Sequence, residues 1–482
     1  MRTVLALLFL ASLPLCGAAR ADRDAPPDTA PQQVARPDPT PDDPADPAQP
    51  EKLSPYEWKK AQKAAFETSE RIYADALERN GLLAQYKAMR DAYRADRNQA
   101  FRVVFGQYLS WYQTYVGDYV GAHDAYSIRQ LPASDDARSP FSGNWQVRPA
   151  IDAIAELARG RKAVFFNEAH NVPLTRTLTL QLLERLRKEG FTHFAAETLY
   201  ATDTGLARRG YPTRDSGFYT EEPIYAEMIR TALALGYTVV AYESEEEGNG
   251  DVREHAQARN LQERVFRRDP DARLVVNAGY AHIQETGRYL GGRSMAQHFR
   301  KQTGIDPLTI EQTMLIEHPP GTENHPYYHA VVDKLRPQAP IAFVSGREAW
   351  SLKPHAYDVS VFFPVEVVRN GRPTWADLGG LRSSQSIGGD FCRDRFPCLI
   401  EARYADEGDD AIPADRLVLD PLKGATSDDD RVRYNAADVR GDLYLRPGRY
   451  RLVSLDADNR VISHRDLRVR GSGRLRKPEI GP

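Results

Sequence analysis

"AVFFNEAHNVPLTRTLTLQLL", residues 163–183, decides how this chain is read. Four apolar residues run straight into Asn-Glu-Ala-His, and after Pro173 the apolar positions recur at helical spacing. A buried strand that turns into a helix while presenting Glu168 and His170 is one half of a βα unit. A carboxylate at a helix start is favoured by the helix dipole alone, so a single instance establishes no chemistry. Its weight depends on whether the pattern recurs.

It recurs three more times. Apolar runs at residues 192–196, 238–242 and 273–278 end in Glu197, in Glu243, and in Gly279 with His282. Between them lie amphipathic stretches such as "PIYAEMIRTALALG" and "VREHAQARNLQERVFRR". Strands alternating with helices predict a parallel sheet covered by helices on both faces, an α/β core over residues 144–365. Open parallel sheets bind ligands at the carboxyl ends of their strands, so the four endings are expected to converge on one cleft. Glu245, Glu246 and Glu247 read as a solvated acidic loop. Arg259, on a helix face with His255 and Glu263, is expected either to offset the carboxylates or to form a surface ion pair.

Outward from the core, residues 55–143 read as helical. Asn80-Gly81 closes one helix, and the tyrosines of "FGQYLSWYQTYVGDYVGAHDAY" read as packing between helices, with His123 incidental. Residues 366–482 read as a small β-rich domain of sandwich or barrel type, with an Asn-Gly hairpin in "VEVVRNGRPTW". Residues 22–54, rich in Pro and Asp, predict a disordered linker. Arg2, the apolar run "TVLALLFLASLPL" and the "AARA" that follows read as a signal peptide over residues 1–21, cleaved before Asp22, and the apolar run is too short to span a membrane comfortably. The mature chain is therefore expected to be periplasmic or secreted, without a transmembrane segment. Loss of Arg2 and Arg20 takes its net charge from -3 to -5, which argues against nucleic acid as a partner. In an oxidising compartment Cys392 and Cys398, in "FCRDRFPC", suit a small-loop disulfide.

Two histidines and three glutamates allow two designs. In one, His170 or His282 is a general base on water and carboxylates orient the imidazoles. In the other, His170, His282 and Glu168 hold a divalent ion that lowers the pKa of bound water. The metal-free base is the preferred reading, since no ligand spacing as specific as His-Glu-x-x-His occurs. No Gly-x-Ser-x-Gly elbow or phosphate loop is present either.

"NEAHNVPLTRTLTLQLLERL", "FAAETL", "VVAYES", "ARNLQERV" and "VVNAGYAHI" together resemble the erythromycin-esterase/ChaN-like superfamily, related to the TraB and Tiki proteins, over about residues 150–313. The resemblance maps the family's first motif onto Glu168 and His170, its acidic positions onto Glu197 and Glu243, its arginine onto Arg259, and its last motif onto Gly279 and His282. It implies an α/β core and hydrolysis of an ester or amide bond in a small-molecule or peptide substrate. Members of the ChaN-like branch bind haem, so the alternative it implies is a haem- or iron-binding protein with Tyr280 or a histidine as axial ligand. A third reading is a non-catalytic scaffold that docks a protein partner through its C-terminal β domain. The family's glycine before the first Glu is Asn167 here, where a side chain is expected to narrow the cleft or alter access to Glu168.

Overall fold

The computed structural model describes residues 54–246, 248, 250–421 and 439–471. The signal-peptide reading and all but the last residue of the linker reading lie outside them. The chain is α/β. Its central sheet has six parallel strands, β2 (Ala163–Glu168), β3 (His193–Ala196), β4 (Thr238–Ala241), β5 (Leu274–Gly279), β6 (Leu308–Glu311) and β9 (Val359–Ser360), in the order β4-β3-β5-β2-β6-β9. The two central strands, β2 and β5, are buried at every position. That is why they read as continuous apolar runs rather than as alternation. A smaller antiparallel sheet, β1 (Gln146–Pro149), β7 (Ile341–Ser345) and β8 (Glu348–Ala349), flanks the core.

Residues 163–183 form the expected βα unit. β2 runs in register with β5 from Ala163 opposite Leu274 to Glu168 opposite Gly279, and Pro173 precedes the helix Leu174–Lys188. Helices Pro223–Ala234 and Gly250–Leu261 follow the next two strands.

The N-terminal helices begin at Pro55–Leu77, which Ser54 and Glu57 cap reciprocally. Gly81, at φ 96°, makes the turn into the next helix, Leu82–Ala95. In helix Gln99–Tyr115 and the segment after it, Tyr108, Tyr112, Tyr115 and Tyr119 are all buried in a hydrophobic cluster that continues into the α/β layer through Ile154, Phe166 and Tyr225. The Tyr115 hydroxyl donates to Phe218 O (3.2 Å) and that of Tyr119 to Glu222 (2.9 Å), so these helices brace the loop that enters helix Pro223–Ala234.

The C-terminal part is a group of small antiparallel sheets. β10 (Val368–Arg369) and β11 (Arg372–Pro373) make a hairpin whose Asn370 and Gly371 both take positive φ, 48° and 72°, as the Asn-Gly signal requires. β12 (Ser383–Gly388) pairs β15 (Arg440–Leu445), and β13 (Cys398–Tyr404), β14 (Asp415–Leu419), β16 (Gly448–Leu455) and β17 (Val461–Val469) form a four-stranded sheet. Cys392 and Cys398 are disulfide-bonded, with Cα atoms 6.0 Å apart. Among the described residues no helix is long and apolar enough to cross a membrane.

Candidate active site

Glu168, the last residue of β2, is buried among donors. Arg176, in the first turn of the next helix, donates from Nε to Oε2 (2.9 Å) and from Nη2 to Oε1 (2.8 Å), and Asn277 of β5 donates to Oε2 (2.6 Å). Burial would raise this carboxyl, but the Arg176 charge and the His170 hydrogen bond pull it down to about 2. Ionised Glu168 can only accept, so the His170 Nδ1 at 3.1 Å carries the proton and donates it. In the neutral ring this fixes the tautomer and leaves the lone pair on Nε2. The ring stacks on Tyr219 (centroids 4.3 Å apart) and meets Tyr280 edge-on (5.1 Å). Arg176 is fully buried; it also donates to Glu222 (2.9 Å), whose other duty is to cap helix Pro223–Ala234 at Ile224 N and Tyr225 N.

The second half of the cluster belongs to β3, β4 and β5. Glu197, just beyond β3, accepts from Arg253 Nη2 (2.8 Å) and from Gly279 N (2.5 Å). Glu243, just beyond β4, accepts from Arg253 Nε (3.0 Å) and Nη2 (2.9 Å) and from Gln257 (2.9 Å). His282 lies between Glu254, 2.8 Å from Nδ1, and Glu197, 3.4 Å from Nε2. Burial alone would lower this imidazole, but the Glu254 and Glu197 charges outweigh it and hold it at about 9. We assign His282 the charged form, because three carboxylates surround one arginine here. The 3.2 Å contact of Arg253 Nη1 with Nε2 is a hydrogen bond in the neutral ring with its proton on Nδ1; in the charged ring the acids hold the two cations together.

The two halves meet at Gly279. A Cβ there would lie 2.3 Å from His170 Nε2 and 3.1 Å from Glu197 Oε2, so only glycine lets the imidazole and the carboxylate close on this point. Thr198 and Tyr280, which follow the ends of β3 and β5, take φ of 60° and 41°. Non-glycine residues held there cost about 1–3 kcal/mol each, and such strain gathers at functional sites. Their surroundings hold them: Thr198 Oγ1 accepts from Tyr219 N (3.2 Å), and the Tyr280 carbonyl accepts from Asn167 Nδ2 (2.9 Å).

Of the residues singled out from sequence, Glu168, His170, Glu197, Glu243 and His282 are brought into one network, with Tyr280 on its edge. Arg259 is not. It pairs with Glu246 on the outer face, where both side chains are about 40% exposed, and the guanidinium in the cluster is that of Arg253. Six positions along a helix rotate a side chain roughly 240°, which carries Arg259 away from the face of Arg253 and Gln257. The expectation for Asn167 also needs correction. Neighbouring residues of a strand point to opposite faces, and Asn167 binds Gln312 N (2.6 Å) and Glu311 (3.3 Å) on the β6 side, so it ties two strands together and does not narrow the cleft. Arg176, Glu222, Arg253, Glu254 and Asn277 went unread. Arg253 carried a usable signal, since it and Gln257 stand four apart beside the buried Glu254.

The donor set does not fit a divalent ion. Glu168, Glu197 and Glu243 are each engaged by an arginine, and both nitrogens of His282 face carboxylates. Among the described residues no three His, Cys, Asp or Glu side chains are arranged to hold a metal. Burial pushes the Tyr280 phenol well above the usual range, and its hydroxyl lies 3.3 Å from Asn171 Oδ1.

No family model matches the chain, and no curated protein matches it in sequence. Solved structures similar in part include the type III effector HopBA1 (14% identity, TM-score 0.26, covering 35% of this chain and 87% of that one). RRSP, a MARTX toxin effector domain from Vibrio vulnificus CMCP6, is 13% identical with a TM-score of 0.27, over 53% of this chain and 62% of that one. A mutant of the erythromycin esterase EreC in its open conformation is 14% identical with a TM-score of 0.19, over 58% of this chain and 81% of that one. The chain is thus weakly similar in structure to an erythromycin esterase and to toxin effector domains, at a level that carries no argument about activity.

Proposed function

We propose that this protein is an exported hydrolase of the erythromycin-esterase-like kind, cleaving an ester or amide bond with His170 as general base. The observation that carries the reading is the buried Arg176–Glu168–His170 chain, which fixes the proton on Nδ1 and leaves Nε2 free at the ends of β2 and β5. A base whose partner is itself held by a third group is the arrangement that nucleophilic attack by water needs. Nε2 takes a proton from water as its oxygen bonds to the carbonyl carbon, and Glu168 stabilises the imidazolium formed. In this acid-rich half Arg253 and His282 are the two cations available to the charge that gathers on the carbonyl oxygen. Collapse breaks the carbon–oxygen or carbon–nitrogen bond, and His170 returns its proton to the leaving group. Glu197 and Glu243 hold Arg253 in place.

The pH profile of turnover tests this assignment. Activity is expected to fall on the alkaline side through about pH 9 as His282 loses its proton. A chelator is expected to leave the rate unchanged. A rate still rising well above pH 9, or one abolished by chelation and restored by a divalent ion, contradicts it.

A further inference from the structure

We infer that the N-terminal helices form a second site, a receptor for a small organic anion that also carries a hydroxyl or amine donor. A cavity of about 260 Å³ opens between helices Leu82–Ala95 and Gln99–Tyr115 and the short helix Tyr119–Ala125, and four arginines line it. Arg90 is committed to Asp420 and Asp91. Arg102 lies 4.0 Å over the Tyr93 ring and donates from Nη1 to the Tyr93 carbonyl (3.1 Å), which fixes the guanidinium at the wall. Arg94 and Arg97 are exposed and have no acidic partner among the described residues. Asp118 and Asp124 also line the cavity; with Arg90 committed, three guanidiniums stand against two acids, and that excess of positive charge suits phosphate or carboxylate oxygens.

The inner wall gives the second half of the specificity. Gln113 lines the cavity, is 7% exposed, and its Oε1 has no hydrogen-bond partner. Its Nε2 and the Asp118 carboxylate both crowd the point where a Gly121 Cβ would stand, 2.6 and 2.4 Å away. The amide nitrogen therefore belongs on the acid's side and the acceptor faces elsewhere. A buried acceptor left unmade costs about 1–3 kcal/mol, and a ligand N–H or O–H beside the arginine-bound anion would satisfy it. The same short helix sends Tyr119 to Glu222 on its other face, so the cavity lies one helix away from the candidate active site.

Isothermal titration of the mature full-length chain at low salt tests this with pyrophosphate, citrate and glycerol. Both anions are expected to bind and glycerol is not. Binding is expected to weaken with added salt and to fall at least tenfold in the double variant Arg94→Ala/Arg97→Ala, which folds because both side chains are exposed. Gln113→Leu is expected to weaken citrate, which has a hydroxyl, more than pyrophosphate, which lacks a comparable donor. If Gln113→Leu fails to fold, the arginine variant decides alone. Neither anion binding, or equal binding by parent and arginine variant, overturns the site. Binding is read without turnover, so failure of the hydrolase reading and failure of this one are separate results.

Discussion

His170 and His282 are two imidazoles in one network, and they differ in the neighbours of their acids. Glu168 faces Arg176, so its charge is largely spent before it meets His170. Glu197 and Glu254 face His282 with one arginine among them, so the ring keeps a proton. The linkage has a definite sign. A group raised from 6.5 to about 9 on folding adds stability that is fully present below pH 6.5 and lost as pH rises through 9, at most about 3 kcal/mol. Urea titrations are expected to show the parent losing that stability over this range while His282→Gln does not. Parallel curves would mean that His282 is neutral. Glu168, lowered to about 2, contributes stability that is present above pH 4.5 and lost as pH falls through 2. Glu168→Gln leaves His170 free to take either tautomer and is expected to slow turnover on the order of 10²-fold, read as kcat with KM little changed.

Among the elements, the strand ends set the site and the helices supply its counter-charges. Gly279 is the tightest point: Gly279→Ala places a methyl 2.2 Å from His170 Cε1 and is expected to expel the ring and abolish turnover while the sheet persists. Unchanged kcat in that variant would mean that His170 does not act where it is seen. The two arginines of helix Gly250–Leu261 divide cleanly. Arg253→Ala strips buried Glu197 and Glu243 of their cation and is expected to cost about 3–5 kcal/mol; Arg259→Ala breaks an exposed pair and is expected to cost less than about 1 kcal/mol. Thermal melts separate them. These contrasts show what was legible beforehand. An apolar run that stops at Glu or His is a local pattern, so Glu168, His170, Glu197, Glu243 and His282 could be read in line. Glu222 stands before Pro223 and reads as an ordinary helix start. Only the approach of Arg176 from another helix gives it a second role, and no spacing within either segment records that approach. Arg253 is legible only from helical phase: the family pattern points to Arg259, which stands six positions on and faces another way.

At the scale of the molecule, buried charge joins the C-terminal sheets to the same loop that serves the site. Arg416 donates to Glu401 (2.9 Å) and to the carbonyls of Tyr115 (3.2 Å) and Glu221 (2.6 Å), while Arg372 grips Asp415 at 2.8 and 2.9 Å. Glu221 adjoins Glu222, the partner of Arg176. Asp415→Asn is therefore expected to destabilise the whole chain by about 3–5 kcal/mol, measured as a single lowered melting transition; a separate early transition confined to the C-terminal part would show that the sheets stand apart. The exported form is expected to begin at Asp22 and to carry the Cys392–Cys398 disulfide, which intact mass checks. The central claim is that His170, oriented by Glu168, is the base of a hydrolase, and one measurement meets it most directly: turnover of a panel of p-nitrophenyl esters and peptide p-nitroanilides by the parent and by His170→Ala. Hydrolysis of at least one probe by the parent is expected, with a loss on the order of 10²- to 10⁴-fold in the variant and an unchanged melting temperature. A parent inert toward the whole panel, or a His170→Ala protein that keeps full turnover, contradicts it.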